Sequence, residues 1–118
     1  MIVAIKRIYD KAGIIDGKRV LVDRLWPRGV KRSTSNVDLW LKDVAPSDEL
    51  RKWFSHEPAK WTEFKKRYKE ELNGSKAFIE LVHLVRTNDI TILYSSRDDK
   101  HNNAIALVEF INKAKSSV

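Results

Sequence analysis

Apolar and polar positions alternate at the start of the chain, where Lys6 and Arg7 interrupt an otherwise apolar Ile2–Ile8, and this pattern predicts a strand with one exposed face. The segment "DKAGIIDGK" that follows carries two glycines and reads as a turn region. It is too short for a helical crossover, so the next strand is expected to run antiparallel to the first if the two pair. That strand, Arg19–Asp23, is apolar through Val20, Leu21 and Val22, as a central strand covered on both faces would be. "ITILYSS", from Ile90, repeats the pattern.

Between these strands the period lengthens to that of helices. Ser35 is placed to cap a first helix, with Val37, Trp40, Leu41 and Val44 at i, i+3, i+4 and i+7. Ser47 is placed to cap a second, with Leu50, Trp53 and Phe54 on one side. Pro58 suits the first turn of a third, whose stripe is Trp61, Phe64, Tyr68 and Leu72. After "NGS", Ser75 opens a fourth helix to about Thr87, with Phe78, Leu81, Val82 and Val85 facing in and His83 expected to be partly buried. A fifth follows the last strand, with Asp98 or Asp99 as its cap and Ala104, Leu107, Val108 and Ile111 facing in. The plan is α/β. It predicts one domain, residues 1–118, with at least two buried parallel strands, an N-terminal strand and about five covering helices.

Ligands of open α/β sheets gather beyond the carboxyl ends of parallel strands. The two buried strands run into "DRLWPRG" (Asp23–Gly29) and "SSRDDKHNN" (Ser95–Asn103). If the strands are neighbours, Arg24, Arg28, Ser95, Ser96 and Arg97 share one rim with the helix start near His101 and Asn102. Arginine forks match phosphate and carboxylate, and a helix start favours anions. Pro27 and Gly29 would stiffen the loop in advance of binding. In the opposing reading, Arg24 pairs with Asp23 or Asp98 and Trp26 plugs the core.

Charge narrows the choice. The net charge is +7, yet residues 1–32 carry nine Lys or Arg against three Asp, while the remaining 86 residues carry fourteen against thirteen. The excess lies in the third of the chain that holds the basic loop, so an anion is expected there. Cysteine is absent, which excludes disulfides, thiolate catalysis and Cys-ligated metals and fits a cytoplasmic location. No leader or membrane span is expected, hence no membrane partner.

Asp23, His56 and His101 are the candidate proton carriers should there be turnover. Ser95 and Ser96 lack a nucleophile elbow around them. The three histidines have no metal-ligand spacing, and nothing in the sequence calls for a cofactor. Nucleic acid is weakly supported as a partner. Trp40, Trp53 and Trp61 fall on apolar stripes rather than on an open stacking face, and no recognition element stands out.

The phrases "RVLVDRLWPRG", "WLKDVAPSDELRKWFSHEP", "KWTEFKKRY" and "HNNAIAL" resemble the YeaO-like branch of the bacterial domain-of-unknown-function family four-eight-eight, from about Val3 to Ile111. The resemblance implies a small cytoplasmic bacterial α/β protein and no particular activity. The wider group often carries a Cys-x-Glu pair at the second strand end and a Cys-His-Arg triplet at the following helix. Here those places hold Ser95, Ser96 and Arg97, then His101, Asn102 and Asn103, so thiol chemistry has no group to perform it. The leading expectation is binding of a small, phosphate-type anion at the rim. A nucleic-acid-binding module or regulator and a protein-interaction adaptor are the alternatives. No oligomeric state is implied.

Overall fold

Four parallel strands form one sheet in the computed structural model, which describes residues 3–116. They are β1 (Val3–Arg7), β2 (Lys18–Leu21), β3 (Leu39–Trp40) and β4 (Ile90–Tyr94), in the order β1-β4-β2-β3. The expected start at Ile2 lies outside the described residues. β4 is central because every one of its residues is apolar or β-branched, and all five are buried. Its register against β2 sets Val20 beside Ile92 and Leu21 beside Leu93.

The first two strands do not pair, so the antiparallel expectation is overturned. β4, arriving late in the chain, inserts between them, and β1 and β2 both run parallel to it. Residues 8–17 make the crossing without an α-helix, using only a 3₁₀ turn at Ile14–Asp16. The crossing closes on Gly17, at φ 64°, where an added Cβ would lie 2.2 Å from the Asp89 carbonyl oxygen.

Helices α1 (Asp48–Phe54), α2 (Trp61–Leu72), α3 (Lys76–Thr87) and α4 (Asn103–Ser116) supply the main core. Ser47 and Ser75 cap α1 and α3, accepting from the N–H groups of Leu50 and Phe78 at 3.1 and 3.2 Å. Val20, Val22, Ile90 and Ile92 meet Phe64, Tyr68, Leu81, Val85, Leu107 and Ile111 in this core. His83 is exposed on α3, contrary to the partly buried place expected of it. Leu21, Leu93 and Ile8 face the other way, and that side is covered by loop residues Trp26, Val30 and Val37 together with Trp40 of β3. Nearer the strand starts it holds Asp16, which bonds Lys6 and Arg19.

The helix expected to begin at Ser35 does not form, which leaves four α-helices among the described residues. In its place stand two 3₁₀ turns, Arg32–Thr34 and Lys42–Val44, flanking β3. The side chain of Asp38 accepts from the Arg19 N–H at 2.8 Å, and the N–H groups of Asp38 and Leu41 bond the carbonyls of Arg19 and Leu21. Pairing to the sheet edge thus outweighs the helical spacing. The supposed stripe is divided, with Val37 and Trp40 on the loop-covered face and Leu41 and Val44 in the main core.

Candidate functional site at the strand ends

Beyond β2 the Asp23 carboxylate bridges to the end of β4. Oδ2 of Asp23 accepts from the N–H and the hydroxyl of Ser95, at 2.9 and 2.7 Å, and Oδ1 accepts from the Asn103 amide at 3.2 Å. This ties the ends of β2, β4 and the start of α4 together. Burial pushes the Asp23 carboxyl above the usual range, opposed by the hydrogen bonds from Ser95 and Asn103.

Arg24 pairs with neither Asp23 nor Asp98. It is part-buried and donates to the carbonyls of Ala45 and Pro46, at 3.2 and 3.4 Å, holding the "DRLWPRG" loop against the approach to α1. Trp26 is half-buried, packs edge-on to Trp40 with ring centres 5.3 Å apart, and donates through Nε1 to the Val30 carbonyl at 2.6 Å. Pro27 is buried, and Gly29 takes φ 75° to turn the chain back. The loop is therefore held by contacts within the chain.

Two residues of this region carried no signal in the sequence. The Arg7 guanidinium, at the end of β1, donates to the carbonyls of Ser95 and Ser96 at 3.1 and 2.9 Å and lies over the Tyr9 ring. The Tyr9 hydroxyl in turn donates to the Arg28 carbonyl at 3.1 Å. Only the strand order, with β1 beside β4, brings them here. On the other side, Asp98 accepts from the N–H groups of Lys100 and His101 and from the His101 ring at 3.0 Å, and the Lys100 N–H leads in holding its carboxyl below the usual range. The cap of α4 is Asn102, whose Oδ1 accepts from the Ile105 N–H while its amide donates to the Asp98 carbonyl. Asp98 caps only the preceding turn, and Asp99 does not take the role.

Two adjoining hollows, with lining residues in common, open at this rim. The inner one, about 400 Å³, is lined by Asp23, Arg24, Trp26, Arg28, His56, Ser95, Ser96, His101 and Asn102, with apolar surface from Leu25, Pro27, Pro46, Phe54 and Phe64. The outer one, an open basin of about 870 Å³, shares Arg28, His56, Ser95 and Ser96 with it and adds Arg7, Tyr9, Arg97 and Asp98. All ten residues singled out in the sequence thus meet along one surface. His56 arrives by an unusual route: Ser55 and His56 hold consecutive left-handed backbones, at φ 46° and 56°.

Arg28 and Arg97 are exposed, and among the described residues neither has a carboxylate within ion-pair distance. The Ser95 hydroxyl donates to Asp23, and neither Ser95 nor Ser96 has a hydrogen bond to a histidine ring, so no serine–histidine pair forms among the described residues. No group of three His, Asp or Glu able to hold a metal occurs among the described residues. A third depression, about 640 Å³, lies between α2, α3 and α4 over Leu72, Phe78 and Ile79. It is the more apolar surface, but it shares no residue with the strand ends and brings no buried polar group to its floor. No described helix is long and apolar enough to cross a membrane.

Residues 2–117 match the family model described as the inactive DUF488-N3 subclade. Uncharacterized proteins of Mycobacterium tuberculosis and Mycobacterium bovis are each 41% identical over 110 residues, 93% of this chain and 93% of theirs. The uncharacterized protein YeaO of Escherichia coli is 38% identical over 107 residues, 90% of this chain and 93% of its own. No solved structure matches the chain.

Proposed function

The chain belongs to the inactive DUF488-N3 subclade, and from that premise we propose that it binds a small anionic ligand, of phosphate type, at the C-terminal rim of its sheet. One observation carries the reading: Arg28 and Arg97, with no carboxylate partner among the described residues, border the same hollow from two loops far apart in sequence. Cations left unbalanced beside a concave surface raise the local concentration of anions and present forks that fit phosphate oxygens. The word "inactive" in the subclade's description agrees with binding without turnover, as does the lack of an activated nucleophile. A cytoplasmic location goes with this reading.

A small molecule is favoured over a nucleic-acid strand by the state of the tryptophans. Arg32 lies over Trp26 and Trp40, Lys60 and Arg67 over Trp53, and Lys65 over Trp61. A base stacking on any of these would have to displace a cation–π contact. Thermal denaturation with inorganic phosphate tests the proposal. A ligand at one hundred times its Kd stabilises by about 2.7 kcal/mol, and the double substitution Arg28→Ala with Arg97→Ala should remove the shift while leaving the unliganded melting point nearly unchanged. A phosphate shift that survives the double substitution, or no shift in either protein, refutes the site.

A further inference from the structure

We infer that the ligand of this rim is a nucleoside monophosphate, its base seated in the inner hollow against Asp23 and its phosphate held outside by Arg28 and Arg97. The inference rests on the anion-binding reading above and adds the body to which the anion is attached.

Size is the first argument. The inner hollow, about 400 Å³, falls within the roughly 300–1,000 Å³ of small-molecule sites. Inorganic phosphate takes up only a few water volumes of about 30 Å³ each, so it would leave most of that space filled with water. The walls are the second. Leu25, Pro27, Pro46, Phe54 and Phe64 present apolar surface that a bare anion cannot use but the face of a flat ring can.

Charge orients the occupant. Each hollow carries one carboxylate, Asp23 inside and Asp98 outside, so the arginines decide: inside, Arg24 bonds the carbonyls of Ala45 and Pro46 and Arg51 pairs with Asp48, whereas Arg28 borders both hollows and Arg97 the outer basin. The arginines without a carboxylate partner thus draw the anion to the outer side, and a group that reaches Asp23 meets it as a donor. Asp23 has room for one. Its Oδ2 already accepts two hydrogen bonds, but Oδ1 accepts only that from Asn103, and a carboxylate oxygen takes two. The N–H edge of a nucleobase supplies such a donor along with a flat apolar face, and the ribose spans to the phosphate. Arg28 and His56 border both hollows and so stand where the sugar would pass.

Isothermal titration of the full chain with GMP, AMP, CMP, UMP, guanosine, ribose 5-phosphate and inorganic phosphate decides the matter. At least one amino-bearing nucleotide should bind about tenfold or more tightly than ribose 5-phosphate, the effect of one well-packed ring. Asp23→Asn should shrink that advantage. Because Asp23 also supports Ser95, a second variant is needed: Leu25→Ser, at an exposed wall position, should shrink the advantage with ribose 5-phosphate binding unchanged. If phosphate and ribose 5-phosphate bind but no nucleotide binds more tightly, the base is excluded and the anion site stands. If guanosine binds as tightly as GMP, the phosphate has no place and the inference falls. If no anion binds, the inference and the reading beneath it fail together.

Discussion

Ser55 and His56 stay in left-handed backbone although neither is glycine, at a cost of about 1 kcal/mol or more for each residue. The left-handed Ser55 has a local use, since its N–H closes α1 on the Arg51 carbonyl. His56 has no such role in a helix end, and its side chain lines both hollows. His56→Gly should therefore keep or raise the melting point by a few degrees, the relief of strain offset in part by glycine's entropy, while the stabilisation given by phosphate falls. Melting curves with and without phosphate measure both at once. Asp16 makes a different kind of test. The Lys6 ammonium, with the Gly13 N–H and Arg19, lowers its carboxyl to about 2 from an ordinary 3.8. A depressed carboxyl stabilises the fold above its unfolded value and ceases to do so as the pH falls through its folded value. Urea midpoints should accordingly drop between about pH 4 and pH 2. Asp16→Asn should be less stable at neutral pH and flatter across that acid window.

Tyr68 links the elements that frame the site. Its ring is fully buried on α2, its hydroxyl donates to the Val44 carbonyl in the 3₁₀ turn that leads towards α1, and burial raises its phenol well above the ordinary value. Tyr68→Phe preserves the packing but leaves that carbonyl without this donor, a loss of about 1–3 kcal/mol in a denaturant titration, with phosphate binding retained. Helices of this kind were legible from sequence because their apolar period and their caps agree. Ser47 and Ser75 cap where expected, and Phe64, Tyr68 and Leu72 face the core. The stretch from Ser35 to Val44 was misread for a physical reason, since its apolar residues serve two faces of the sheet and its backbone is drawn to the β2 edge. Pairing across sequence distance also hid the true place of β1. For the same reason Arg7 and Tyr9 were missed, whereas the rim residues after β2 and β4 follow two strands whose apolar runs mark them as buried, and the pairing of β2 with β4 meets the condition on which their meeting depended.

At the scale of the whole molecule, a net charge of +7 attracts any polyanion at low salt, so retention on DNA alone does not distinguish a nucleic-acid protein from a basic one. The salt slope does. Each backbone phosphate contacted contributes about 0.9 to the fall of log affinity with log salt concentration. If a nucleic-acid backbone crossed the strand-end rim, Arg28 and Arg97 would each hold a phosphate, and replacing both with Ala would reduce the slope by about 1.8. If the rim takes a small ligand and DNA is held only by the diffuse excess of lysine and arginine, the double substitution weakens DNA binding slightly through net charge and leaves the slope almost unchanged. The same protein should lose its phosphate-induced stabilisation completely. The expected outcome is this second one, with the two properties separating in a single variant. A slope reduced by nearly two would instead assign the rim to a nucleic-acid backbone.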